Sequence, residues 1–228
     1  MLVLGIESSC DETAAAVVED GRKIWSNIIL SQIDKHSKFG GVVPELAARC
    51  HLEVILEIVE EALRVAGISS REIDLVAATY GPGLIGGLLV GLSMAKTLSL
   101  AWEKPFIGVN HVEGHIYANF LAHQDLAPPL ICLTVSGGHT DLIFMPDYGK
   151  YEILGRTRDD AAGEAFDKVA RVLGLGYPGG PLIDSLAREG TPGITLVQHD
   201  ALAGTYDFSF SGIKTAVVNL VHRLKQKG

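Results

Sequence analysis

A restart in the sequence limits what this chain can fold into more than any other feature. The stretch "LVLGIESSCDETAAAVVED" (2–20) is a buried apolar run, a polar small-residue turn, a second apolar run and an acidic turn. "PLICLTVSGGHTDLIFMPD" (129–147) runs through the same features in the same order, with Ser8 opposite Ser136 and Asp11 opposite His139. Apolar runs this short, bounded by turn residues, read as strands. Solenoids repeat many times at short periods, whereas here the pattern restarts once after about 130 residues. That predicts an α/β protein built from two copies of one domain, 1–125 and 126–228, with a cleft between them and the second copy incomplete.

The rest of the chain fits around those strands. "KIWSNIILSQ" reads as a third strand after the turn at Asp20-Gly21. After a loop rich in Gly, His and Lys, a helix runs from Pro44 to Gly67, with Leu46, Leu52, Ile55, Leu56, Val59 and Leu63 as its apolar stripe. A strand "DLVAATY", the glycine loop "GPGLIGG", a helix to about Trp102 and a short strand "FIGVN" follow. The second copy continues with "YEILGRT", a helix near 163–173, the glycine loop "GLGYPGG", a helix "PLIDSLARE" and a last helix from about Ile213.

Composition excludes several classes. At 47% hydrophobic and 20% charged over 228 residues, the chain can bury a sizeable core and is not disordered. The start "MLVLGIESSC" lacks a basic segment and meets Glu7 too soon for a signal peptide. The longest apolar stretch, "GLIGGLLVGLSMAKTLSLAW", is broken by small or polar residues and Lys96, so it reads as a buried helix and not a membrane span. Three cysteines with no CxxC pair argue against a disulfide scaffold or a zinc ribbon. Together these readings predict a cytoplasmic protein with no membrane contact. A net charge of −8 makes a poor stand-alone binder of nucleic acid, since phosphate contacts need clustered cations. The cations Lys214, Arg223, Lys225 and Lys227 near the end form no distinct RNA surface, so an RNA substrate would need partners to hold it.

Two features carry chemistry. A Ser/Gly turn between two strands, occurring twice, suits a nucleotide, because small residues let backbone amides approach phosphate oxygens and a following helix N-terminus adds a favourable dipole. Ordinary hairpin chemistry accounts for such turns equally well. The second feature is "NHVEGH": if 111–121 are helical, His111 and His115 lie one turn apart on one face and can share a metal such as zinc or ferrous iron. The alternative is a solvated helix face. A zinc peptidase needs glutamate directly after the first histidine. Val112 holds that place, and Glu113 lies roughly 100° further around the helix. Two histidines also leave a metal short of ligands, so a further carboxylate or histidine must come from elsewhere.

"GIESSCDETAAAVV", "SQIDKHSKFGGVVPELAARCH", "TYGPGLIGGLLVGLSMAK", "GVNHVEGHIYANF", "SGGHTDLI", "DDAAGEAFDKVARVLGLGYPGGPLID" and "FSFSGIKTAV" together resemble the tRNA adenosine threonylcarbamoyltransferase family, in its bacterial branch. Its members were once called O-sialoglycoprotein endopeptidases. The resemblance covers almost the whole chain in order. It implies the actin/sugar-kinase/Hsp70-like fold of duplicated ribonuclease-H-like domains. It also implies transfer of a threonylcarbamoyl group from threonylcarbamoyl-AMP to the exocyclic amine of the adenosine 3′ of the anticodon, in tRNAs reading codons that begin with A. His111 and His115 match the family's metal pair, for Fe2+ or Zn2+, with a third ligand, an aspartate, expected beyond Gly228. Thr134, Val135, Ser136, Gly137, Gly138, Asp167, Gly180 and Asp184 match its substrate and nucleotide positions, where adenine nucleotides can replace the donor. An adenine amine must lose a proton as it attacks, and Asp11 or Glu12 in the first turn is the candidate base. The implied partners are tRNA, a scaffold paralogue, a small ATPase and an upstream enzyme that makes the adenylate. Competing readings are an ATPase or sugar kinase of the same superfold, which would not need the histidines, and the scaffold paralogue itself, which should lack both them and "SGGHTD".

Overall fold

The computed structural model describes residues 1–196 and 202–227. The chain divides into two compact units, Met1–Leu126 and Ala127–Gly228.

In the first unit, β1 (Leu2–Glu7), β2 (Glu12–Glu19) and β3 (Lys23–Ser31) form an antiparallel meander. Asp20 and Gly21 turn between β2 and β3 with φ of 51° and 65°, the left-handed pair that a two-residue hairpin favours. β4 (Leu75–Gly81) lies parallel to β1 and β5 (Phe106–Asn110) parallel to β4, giving the order β3-β2-β1-β4-β5. The helices are α1 (Ile33–Ser37), α2 (Pro44–Ala66), α3 (Ile85–Trp102) and α4 (His111–Ala122). Period-2 alternation puts Leu4, Ile6, Ala15 and Val17 on one face of the sheet, where they pack with Ile55 and Val59 of α2 and Ala95 of α3. Pro44 starts α2, and left-handed Gly67 ends it with its amide bonded back to Arg64.

The glycines of "GPGLIGG" do packing work. A Cβ on Gly83 would lie 2.5 Å from the Ser9 carbonyl oxygen, one on Gly87 2.4 Å from that of Ser8, and one on Gly91 2.2 Å from the Ser8 hydroxyl. They let α3 press on the end of β1, where Ser8 donates to the Gly87 carbonyl at 2.9 Å and the Leu84 amide donates to Ser9 at 2.7 Å. The expectation of a buried α3 needs correction. Its small-residue face is buried, but Ile85 is 77% exposed and Leu89 59% exposed. The small and polar breaks also do not stop α3 from being long and apolar enough, by length and composition, to cross a membrane.

The Gly/His/Lys loop holds the short α1 and a buried polar relay that the sequence did not suggest. The Val43 amide donates to His36 Nδ1, and His36 Nε2 meets Gln32 Oε1 at 3.0 Å. The Gln32 amide nitrogen and the Thr13 hydroxyl both reach His51 Nδ1, and His51 Nε2 donates to the Cys10 carbonyl at 3.1 Å. Burial holds His51 below the usual imidazole range, consistent with a neutral ring in that chain.

The second unit opens with the meander β6 (Leu130–Val135), β7 (Thr140–Asp147) and β8 (Lys150–Arg156), followed by α5 (Ala162–Leu173), α6 (Gly179–Glu189) and α7 (Ser211–Lys227). Its first hairpin closes Val135 on Thr140, leaving 136–139 in the turn, whereas Glu7 pairs with Ala14 and leaves 8–13 open. The two pairings differ by an even number of residues, so each strand keeps its faces.

Candidate functional site

Asn110, the last residue of β5, caps α4: its side-chain oxygen accepts from the Val112 amide at 2.9 Å and the Glu113 amide at 3.4 Å. The helix therefore begins at the strand's end, with His111 and His115 on one face. Their Nε2 atoms stand 3.0 Å apart, with the rings edge to face at 78°. Two nitrogens bound at about 2.0–2.1 Å to a tetrahedral metal are about 3.3–3.4 Å apart, so the pair needs to open by only tenths of an ångström. The residues fit two corners of a metal site. Among the described residues no group of three or more His, Cys, Asp or Glu gathers there, and the expected third ligand lies outside them.

Behind His111 stands a residue the sequence reading missed. Glu7 Oε2 lies 3.2 Å from His111 Nδ1, with the Ser9 hydroxyl 3.1 Å from the same nitrogen. The Ser9 amide donates to Glu7 Oε1 at 2.5 Å and the Thr79 hydroxyl to Oε2 at 2.6 Å. Burial pushes the Glu7 carboxyl up, but the hydrogen bonds from His111, Ser9 and Thr79 outweigh it and hold the group at about 2. β1, β4 and α4 thus meet at one ionised carboxylate.

Asp11 and Glu12 occupy the 8–13 turn. Asp11 is buried, and Glu12 accepts from the Ser31 hydroxyl at 3.2 Å. Burial and the neighbouring Asp11 raise the Glu12 carboxyl above its usual range.

In the second unit, Thr134 is buried and Val135 exposed at the end of β6. Ser136 closes the turn: its amide donates to the His139 carbonyl at 2.8 Å, and its hydroxyl accepts from the amides of His139 and Gly138. Gly137 and Gly138 have open space where side chains would be. The turn rests on the start of α5, where the Gly163 amide donates to Ser136 at 3.1 Å and a Cβ on Gly163 would come within 2.7 Å of that carbonyl oxygen. Asp167 spends Oδ1 on the Gly179 amide at 2.7 Å, so it braces the first turn of α6 beside Gly180. Asp184 is exposed and pairs with Arg188 at 2.7 Å. The structure brings Thr134 to Gly138 onto one turn and Asp167 beside Gly179 and Gly180, with Asp184 further along α6.

A family model described as tRNA N6-adenosine threonylcarbamoyltransferase matches residues 23–226. The protein of that name from Clostridium perfringens is 62% identical over 99% of this chain, which spans 67% of that relative's length. Among solved structures, a ROK family glucokinase from Streptomyces griseus in complex with glucose and AMPPNP is similar with a TM-score of 0.52 at 15% identity, over 84% of this chain and 72% of that one. Component A of the Acidaminococcus fermentans (R)-2-hydroxyglutaryl-CoA dehydratase is similar with a TM-score of 0.53 at 12% identity, over 98% of this chain and 68% of that one. At those identities the likeness shows the fold: actin/sugar-kinase/Hsp70-like, built from ribonuclease-H-like domains.

Proposed function

The chain belongs to the tRNA N6-adenosine threonylcarbamoyltransferase family, and from that premise we propose that it is the acyltransferase of threonylcarbamoyladenosine formation in tRNA. The donor is threonylcarbamoyl-AMP, and the acceptor is the adenosine 3′ of the anticodon in tRNAs reading codons that begin with A. In the reaction the carbamoyl carbon exchanges its bond to the adenylate phosphate oxygen for one to the adenosine amine. AMP leaves, and the amine gives up one proton.

The observation that carries the reading is the histidine pair, with two Nε2 atoms 3.0 Å apart at the end of a parallel strand. His111 and His115 would hold a divalent metal, Fe2+ or Zn2+, completed by a ligand outside the described residues. Such a metal supplies Lewis-acid polarisation of the carbamoyl carbonyl when bound. The open amides of the Ser136–Gly138 turn, set at the start of α5, suit the adenylate phosphate. Asp167 retains one oxygen not used by Gly179 for a ribose or adenine donor, and Gly180 leaves room beside it. Asp184 has to release Arg188 to take such a donor. Glu12 receives the amine proton, with Asp11 as the neighbouring charge that makes it a stronger base.

The partners proposed are tRNA, the scaffold paralogue and the small ATPase of the same pathway. A net charge of −8 agrees with a protein that does not grip tRNA alone. The test reconstitutes the full-length protein with these partners, the adenylate-forming enzyme, threonine, bicarbonate and ATP, and reads modified adenosine by mass spectrometry. A His111→Ala, His115→Ala variant should lose both bound metal and modified nucleoside. Undiminished modification would reduce the histidines to a helix face, and ATP turnover with no modification by either protein would favour the kinase-like reading.

A further inference from the structure

The residues around His111 determine more than a metal-ligand pair, because their donors and acceptors can be assigned in only one order. The Ser9 backbone amide can only donate, so Glu7 Oε1, 2.5 Å away, must accept. Glu7 Oε2 takes the Thr79 hydroxyl at 2.6 Å and faces His111 Nδ1 at 3.2 Å. An ionised carboxylate has no proton to give, so the proton in the last contact belongs to Nδ1. A neutral imidazole carries one ring proton, which leaves His111 Nε2 bare. That bare nitrogen is the one 3.0 Å from His115 Nε2, which must then be the donor between the two rings.

We infer that Glu7 is a positioning residue that fixes the His111 proton on Nδ1, so that Nε2 is presented to a metal already deprotonated and correctly turned. The inference rests on the metal reading of the pair given above. When a metal takes the bare Nε2, His115 turns over its own Nε2 and keeps its proton on Nδ1, so both rings stay neutral. A carboxylate behind a ligating histidine is the usual means of setting tautomer and ring orientation. Here it is supplied by β1, which is 104 residues away in sequence and is itself held by α3 packing on Ser8 and Ser9.

The arrangement predicts an unusually sharp result for a near-isosteric change. In Glu7→Gln the Ser9 amide still requires an acceptor, so the carbonyl oxygen of the new amide takes the Oε1 place. Its NH2 then faces Thr79 and His111. Thr79 can turn its hydroxyl to accept, but Nδ1 must lose its proton to do so, and the His111 proton moves to Nε2, the metal-facing nitrogen.

The experiment records long-range proton–nitrogen spectra of the protein labelled with 15N-histidine, and measures affinity for Zn2+ alone by chelator competition. The wild type should show His111 protonated on Nδ1. Glu7→Gln should move that proton to Nε2 and weaken zinc binding roughly 10–100-fold, while Thr79→Val, which keeps the carboxylate, should leave the tautomer in place. A wild-type His111 protonated on Nε2 would overturn the inference, and that result needs no variant to fold. So would a Glu7→Gln protein with both tautomer and zinc affinity unchanged. Zinc bound by neither protein would sink the metal reading instead, a result distinguishable from an unmoved proton.

Discussion

Glu12 is the residue whose chemistry is most open to a kinetic test. Burial and Asp11 raise its carboxyl above the usual carboxylate range, and a base must be deprotonated to act. The transfer rate should therefore rise with pH through that raised value, and Glu12→Gln should abolish this acidic limb and lower turnover by about 10²–10⁴-fold. A rate-against-pH profile of both proteins, in single turnover with preformed adenylate, checks it. At this scale the sequence was partly legible. His111 and His115 could be paired because both sit on one helix, one turn apart. Glu7 could not, because its contact with His111 spans strand and helix. A lone acid at the end of "LVLGIE" looks like an ordinary strand terminus until β1, β4 and α4 are brought together. Asp167 was legible as a polar site but not as a brace, since the Gly179 amide it accepts from depends on how α5 and α6 pack.

Among the elements, α7 is the one held by a single group from outside itself. Asp159 accepts from the Phe210 amide at 2.8 Å and the Ser211 amide at 3.2 Å, and its other oxygen takes the hydroxyls of Ser209 and Ser211. It caps the helix from a different segment, and the motif "FSFSG" is shaped around it. Some burial pushes the Asp159 carboxyl up, but these hydrogen bonds hold it well below its usual value of 3.8. A carboxyl depressed in the folded state contributes stability above its unfolded value, and that contribution is lost as pH falls toward the folded one. Asp159→Ala should thus cost about 0.5–2 kcal/mol at neutral pH and speed amide exchange at the start of α7. The cost should shrink in acid, as urea melts at neutral and low pH would show. Strands and helices were readable to within a residue or two from alternation, Pro44, Gly67 and the Asp20-Gly21 turn. The short α1 and the His36–Gln32–His51 relay were not, because nothing in a Gly/His/Lys loop announces which of its polar residues will be buried.

For the molecule as a whole, the outward residues of α2 and α3 bear on the proposed partnership. Leu52 is 70% exposed and Leu56 51% exposed, and with Ile85 and Leu89 they give these packed helices an apolar outer surface. If the scaffold paralogue docks there, Leu52→Asp with Leu56→Asp should weaken its association by at least tenfold in sedimentation or titration calorimetry while leaving zinc binding unchanged. The duplicated architecture was legible because the same pattern of runs and turns occurs twice. What the repeat could not reveal is how far the copies have diverged at their first hairpins. The wider of those turns has room for two neighbouring acids, Asp11 and Glu12, whereas the tighter one, Ser136 to His139, carries none and offers open glycine backbone. Since the offset between them is even, one turn could be grafted in place of the other without turning any strand inside out. A common ancestral hairpin could therefore have given rise to one proton-handling loop and one anion-receiving loop by a change of loop length alone, with the cores beneath untouched.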